Sequence, residues 1–198
     1  MQYKVNPVFA QDSYEDQEYQ AISFAGQDLS RKEFSSCVFK SCDFSECSFA
    51  GAVFIDCVFS CCNLLSVKVE NCGFRGITFE DCKITNTSFN AISPFLSRLI
   101  FKRCKILACN FSGLKMKGLG FTGSVIREAD FINVELKDAD FSGCDLRGSS
   151  FHNASLENAN FAGARNYAID PRNNKLKKAR FDSPEVLSLL DVFDIIIK

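Results

Sequence analysis

The sequence predicts an all-β solenoid: a four-sided coil of about eight turns, closed at its C-terminal end by an α-helical cap. Three observations carry this expectation. A large apolar residue returns at every fifth position, small residues occupy the place two before it, and glycine collects two after it. A period of five matches neither an amphipathic helix nor a half-buried strand. It is read as an internal repeat, in which each unit turns the chain by the same angle.

The apolar lattice comes in two runs. The first passes from Phe24 through Leu29, Phe34, Phe39, Phe44, Phe49, Phe54, Phe59, Leu64, Val69, Phe74, Phe79 and Ile84 to Phe89. The second passes from Phe101 through Ile106, Phe111, Met116, Phe121, Ile126, Phe131, Leu136, Phe141, Leu146, Phe151 and Leu156 to Phe161. Of 21 phenylalanines, 18 lie on the lattice and only Phe9, Phe95 and Phe193 do not, so placement, not abundance, is what the pattern encodes. A quarter-turn per unit stacks each centre on the one twenty residues later. Coils then lie about 4.8 Å apart, and about eight of them form a rod of roughly 38 Å. The core stack is expected to run Phe39, Phe59, Phe79 and then Phe101, Phe121, Phe141, Phe161.

The flanking slots agree with this geometry. Ten of eleven cysteines precede a centre by two residues, Cys61 being the exception, and alanine takes that slot later, as at Ala129, Ala139, Ala154 and Ala159. Small apolar side chains suit a second inward position at a tight corner. Nine of eleven glycines follow a centre by two residues, where corner dihedrals exclude most side chains. Polar residues take the positions adjoining each centre and are expected to face solvent.

Units such as Ala129-Asp130-Phe131, Ala139-Asp140-Phe141, Cys144-Asp145-Leu146 and Ala159-Asn160-Phe161 resemble the pentapeptide repeat family, over about residues 22–165 with a degenerate continuation to Phe181. The resemblance implies a right-handed quadrilateral β-helix. The length, the cysteine-rich early coils, the single mid-chain break and the terminal helix are similar to the subgroup of quinolone-resistance (Qnr-type) proteins and albicidin and microcin B17 immunity proteins. Asn166-Tyr167-Ala168-Ile169-Asp170-Pro171 and Lys178-Ala179-Arg180-Phe181-Asp182-Ser183-Pro184-Glu185 look most like the albicidin-immunity type. That resemblance implies binding to DNA gyrase or topoisomerase IV, protection of the enzyme from a poison, and homodimerisation through the C-terminal helix.

Composition bounds the alternatives. Net charge is −1, so no global field attracts nucleic acid. Charge is nonetheless banded: residues 91–120 carry six cations and no acid, residues 127–161 carry seven acids against three cations, and residues 165–180 return to a surplus of five cations. Two rods end to end would span roughly 75 Å, the length of about 22 base pairs. A near-neutral chain is a poor polyanion, however, and the acids fall on different faces. No apolar run is long enough to cross a membrane. Residues 1–20 lack the basic start and apolar core of a signal peptide, and eleven thiols then suggest a reducing cytoplasm. The cysteines have no metal-ligand spacing and are read as free packing thiols. His152 is the lone histidine and occupies an outward position, and no nucleophile or phosphate-loop motif appears. An enzyme is therefore not expected, nor a cofactor or metal, nor direct nucleic-acid binding.

The exceptions divide the chain: an N-terminal cap segment over 1–21, a first repeat run over 22–89, a loop or kink over 90–100, a second run over 101–182, and a helix with tail over 183–198. Phe89 to Phe101 spans two residues more than two units allow. Pro94 cannot donate to a ladder between coils, and loops on rigid scaffolds carry contacts, so Pro94, Phe95, Arg98 and Lys102 are the partner-contact candidates. At the C-terminal end Ser183-Pro184-Glu185 reads as a helix start, with Ser183 as N-cap and Pro184 at the first turn. The apolar residues beyond it exceed what a lone cap needs, which assigns Val186, Leu187, Leu190, Phe193, Ile195 and Ile197 to a dimer interface. Tyr3, Val5, Val8 and Phe9 are expected to cap the other end.

Overall fold

In the computed structural model, residues 10–93 and 98–197 are described. Every pairing between strands is parallel, and strands stack on four faces of one continuous coil of about eight turns. One face carries the strands Glu18–Gln20, Val38–Lys40, Val58–Ser60, Ile77–Glu80 and Leu99–Lys102. Asn160–Phe161 and Arg180–Phe181 pair further along that same face. The register steps by twenty residues per coil, as Phe34↔Phe54↔Phe74 and Phe39↔Phe59↔Phe79 show.

The core is the predicted column. Phe39, Phe59, Phe79, Phe101, Phe121, Phe141 and Phe161 are all fully buried. Successive rings in this column stack at 4.8, 4.9, 5.2, 5.2, 4.9 and 4.9 Å between centroids. Tyr19 extends the column below Phe39 and Phe181 extends it above Phe161. Because Tyr14 and Tyr19 stand in register with Phe34 and Phe39, the coil begins by Ser13. The boundary expected at residue 22 therefore moves towards the N-terminus. The proposed cap residues Tyr3, Val5, Val8 and Phe9 lie outside the described residues.

The break joins the two runs instead of separating them. Phe79 pairs with Phe101, Ile84 with Ile106 and Ser88 with Asn110, all at a separation of 22. Phe89 stacks on Phe111 at 4.9 Å. Two extra residues are taken up in one coil, and Phe89, Ile92 and Leu99 remain buried on either side. A short 3₁₀ turn, Phe89–Ala91, leads in. Ser93 N–H still donates to Cys72 O at the regular separation, whereas Asn71 N–H donates to Ala91 O and Ile77 N–H to Arg98 O, one and two residues beyond the regular partner.

Corner chemistry extends beyond the glycines. The residue two after a centre has positive φ almost throughout, whether Gly143 (66°), Ser36 (53°), Asp56 (50°) or Arg103 (51°). At tight corners the centre carbonyl accepts from the N–H three residues on, as Phe49 O does from Ala52 N at 2.9 Å. With Gly51 at φ 66° this is a type II turn, which demands positive φ at its third position. Cys61, the cysteine outside the inward slot, is one of these corner residues at φ 54° and is exposed.

The inward slot is also more polar than its composition suggests. All eleven cysteines are free and ten are buried. Several buried thiols reach a carbonyl of the coil below, among them Cys57 Sγ to Phe34 O, Cys62 Sγ to Phe39 O and Cys82 Sγ to Phe59 O, each at 3.3 Å. Ser149 Oγ donates similarly to Ile126 O at 3.2 Å, and Asn174 Nδ2 to Phe151 O at 3.1 Å.

The terminal element is a 3₁₀ helix, Glu185–Phe193, and not the expected α-helix. Its N-cap is Pro184, with no side-chain cap, so Ser183 does not have the capping role assigned to it. The apolar spacing explains the tighter winding. Three residues per turn line up positions i and i+3. Val186, Leu189 and Val192 therefore form one row, all half-buried, with Leu189 packed on the core.

Candidate partner-binding surfaces

The C-terminal edge shows how the rod is finished. In regular coils each corner N–H donates to a carbonyl of the next coil, as Gly143 N does to Ala162 O at 2.9 Å. Beyond the last coil, carboxylates replace those carbonyls. Asp182 Oδ2 accepts from Gly163 N at 2.7 Å, and Glu185 Oε1 accepts from Asn166 N at 2.5 Å. The helix thus covers an edge that would otherwise present unpaired donors. Tyr167 is buried beneath it, and burial with the nearby Glu185 charge pushes its phenol up to about 12.

A second apolar row of the helix points away from the coil. Leu187 is 42% exposed and Phe193 48%, with Leu190 half-buried between them. Ile195, Ile196 and Ile197 follow, exposed, with Ile196 at 90%. Arg172 lies over the Phe193 ring, 5.7 Å from its centroid. Of the six residues assigned to an interface, Leu187, Phe193, Ile195 and Ile197 are exposed, while Val186 and Leu190 are half-buried.

At the break, Pro94 and Phe95 lie outside the described residues. Arg98 and Lys102 are exposed, and neither makes an ion pair among the described residues. Their neighbour Arg103 differs. Its guanidinium spans Glu80 at 2.7 Å and Asp81 at 2.9 Å from the preceding coil, and the hydrogen bonds from Arg103 hold the Asp81 carboxyl below its usual range. Of the six cations in the band, Arg103 and Lys117, the latter 3.4 Å from Asp138, are ion-paired, while Arg98, Lys102, Lys105 and Lys115 have no ion pair among the described residues.

Asp145 reverses an expectation. It adjoins a centre, where polar residues should face solvent, yet it is 4% exposed. Asn166 Nδ2 donates to its Oδ1 at 2.7 Å, and Arg127 and Arg165 approach its Oδ2 at 3.3 and 3.9 Å. Burial alone would raise this carboxyl, but the Asn166 hydrogen bond and the Arg127 guanidinium hold it below the ordinary value. Its aspartate type at that slot is ordinary for the repeat, so only the three-dimensional neighbourhood reveals it.

Among the buried-slot thiols only that of Cys42 is lowered, by its hydrogen bond with Cys62. Burial pushes the thiols of Cys47, Cys57 and Cys144 up to about 12, so they remain protonated. His152 is exposed on a strand, away from these inward thiols. Among the described residues no cluster of three or more His, Cys, Asp or Glu could hold a metal ion, and no helix is long and apolar enough to cross a membrane.

Fold and surfaces together define a β-solenoid built from five-residue units, with a helix covering its C-terminal end. A family model described as "Pentapeptide repeat region" matches residues 32–93 and 95–165, and the chain belongs to this family. Two solved structures share the fold. One is trypsin-treated QnrB1, a plasmid-mediated fluoroquinolone resistance protein. It is 17% identical, covering 91% of this chain and 100% of that one, with a TM-score of 0.68. A second trypsin-treated QnrB1 structure is 20% identical, covering 94% and 90%, with a TM-score of 0.59. No curated protein sequence matches the chain.

Proposed function

We propose that this protein binds DNA gyrase or topoisomerase IV and relieves its poisoning by an inhibitor, as antibiotic resistance or self-immunity. The observation that supports the reading most is the combination of a rod covered by a helix at its C-terminal end with a two-residue slip, on the fold it shares with QnrB1. In this reading the rod is not an enzyme and acts by presenting surface. The partner contact is placed at the break, around Pro94, Phe95, Arg98 and Lys102, where two open cations adjoin the register shift. The protein works in the cytoplasm, as its partner does, and without a direct nucleic-acid ligand. Purified protein should restore supercoiling by gyrase in the presence of a fluoroquinolone, albicidin or microcin B17 at near-stoichiometric amounts. Absence of rescue against all three would sink the reading.

Two chains join through the outward row of the C-terminal helix, Leu187, Leu190 and Phe193 with Ile195 and Ile197. Leu190→Asp should convert a dimeric mass to a monomeric one in light scattering, and an unchanged mass would remove the helix from the interface.

One feature favours a second reading, that of a non-enzymatic scaffold or adaptor for another protein. The mid-rod surface is cationic, whereas imitation of DNA calls for a dense negative one. Affinity capture that enriches a different protein and no topoisomerase would select this alternative.

A further inference from the structure

Outward positions are not all polar, as Val53 and the paired Val38 and Val58 show, and on one further face aliphatic residues adjoin lysines. Its centres are Leu64, Ile84, Ile106 and Ile126, carried on the paired strands Asn63–Leu65, Lys83–Thr85, Lys105–Leu107 and Val125–Arg127. The outward row following these centres reads Leu65, Thr85, Leu107, in register across three coils. Leu107 is 40% exposed, and Thr85 is 8% exposed although it points out of the sheet. The leucines on either side cover it, and its Oγ1 has no hydrogen-bond partner. An outward hydroxyl is normally solvated at no cost, whereas here it has been desolvated by its neighbours. The row therefore behaves as an apolar shelf.

The other outward row supplies charge. Lys83 and Lys105 stand beside the shelf, followed by Val125, and together they border a groove of about 490 Å³. Neither lysine has an ion-pair partner among the described residues, while Arg127 at the far end is engaged by Asp145. Glu128 is the one acid lining the groove. Two open cations over an aliphatic shelf favour carboxylates flanking an aliphatic side chain. No aromatic residue faces outward on these four strands, so the face lacks the platforms on which unpaired bases stack.

We infer that this face is a docking surface for an extended acidic segment of a partner protein, one bearing a leucine-like side chain. The aliphatic group rests on Leu107 and Val125, and neighbouring carboxylates meet Lys83 and Lys105. The inference stands apart from the topoisomerase reading, because it specifies the chemistry of the segment and not the protein that carries it.

The test uses the full chain and a short fluorescein-labelled peptide repeating Glu-Asp-Leu, followed by anisotropy. Comparison probes are the same peptide with serine in place of leucine, and oligothymidylate. The leucine peptide should bind, and the serine peptide should bind about tenfold more weakly. Leu107→Ser and Lys105→Glu should each weaken the leucine peptide by about tenfold. Both sites are at the surface, so thermal unfolding should be nearly unchanged. If either variant unfolds, amide shifts in the unmodified protein decide, and they must centre on Thr85, Leu107 and Val125. No binding at roughly millimolar peptide, equal binding of the serine peptide, or affinity unmoved by both variants overturns the inference. Tighter binding of oligothymidylate, lost in Lys105→Glu but kept in Leu107→Ser, overturns it in favour of a nucleic-acid surface.

Discussion

The coils before the break and those after it reach the same cross-section with different side chains. Before the break, Phe34, Phe39, Phe44, Phe49, Phe54 and Phe59 follow one another, so rings occupy every face. After it, phenylalanine alternates with Ile, Met or Leu, and rings occupy only two opposite faces. Ring geometry records the difference. In the later coils neighbouring rings meet nearly perpendicular, at 86° for Phe121 and Phe131 and 88° for Phe131 and Phe141. In the earlier coils Phe49 and Phe54 are tilted at 54°, and Phe49 and Phe59 at 39°, because four rings share one layer. The slot side chains compensate. Cysteine accompanies the crowded rings, while Leu114, Leu119 and Val134 appear among the alternating ones. Interior volume is the conserved quantity, and the residue type at each slot is adjusted to it.

This comparison predicts unequal cavities. Phe59 touches five rings, at 4.8 Å to Phe39, 4.9 Å to Phe79, 5.5 Å to Phe54, 5.6 Å to Phe44 and 6.5 Å to Phe49. Phe141 touches Phe121, Phe131, Phe151 and Phe161. Both truncations to alanine should cost about 3–5 kcal/mol. Phe59→Ala should exceed Phe141→Ala by about 1 kcal/mol, from the additional ring contact. Chemical denaturation of the two variants measures this. Equal losses would mean that ring crowding contributes nothing beyond burial.

The buried carboxylate of the later coils sharpens the contrast, since the described early coils contain no equivalent. The folded pKa of Asp145 lies below its unfolded value. Its stabilising contribution is therefore complete above the ordinary carboxylate pKa and is lost as pH falls through the folded one. Asp145→Asn should cost about 1–2 kcal/mol at neutral pH, less than a fully buried pair because both arginines are partly exposed. The deficit should shrink below about pH 4. A deficit that is constant down to pH 2 would assign the effect to packing instead of charge.

How far the sequence reveals this structure depends on which interaction sets each residue. Phenylalanine placement is dictated by the repeat itself, so the column could be read directly, including its continuation through Phe181. The register across the break could not. Phe89 and Phe101 show that two residues are extra, but only pairing reveals that Phe79 meets Phe101 and the stack continues. Glycine marked nine corners, yet Ser36, Arg103 and others adopt the same dihedral, because the ladder between coils enforces it regardless of residue type. Thr85 and Asp145 are ordinary repeat residues whose burial arises from side chains twenty positions away. Tight winding of the last helix was present in the three-residue spacing of Val186, Leu189 and Val192, though it was masked by an equally apolar second row.

Corner dihedrals give the smallest difference between the halves. The early corners are largely non-glycine, including Ser36 at φ 53° and Ser41 at φ 51°, whereas later ones include Gly113, Gly123, Gly143 and Gly163. A left-handed conformation costs a non-glycine residue about 1–2 kcal/mol, partly offset by the larger entropy that glycine loses on folding. Ser36→Gly should therefore be stabilising by no more than about 1 kcal/mol. Gly143→Ala should destabilise by about 1 kcal/mol through the dihedral alone, because its new Cβ would meet nothing closer than Gly123 Cα at 3.7 Å. Matched thermal melts of the two variants separate this account from its rival, in which the ladder holds the corner rigid at no cost. That rival requires Ser36→Gly to lose stability, since only the entropy of the unfolded chain would change.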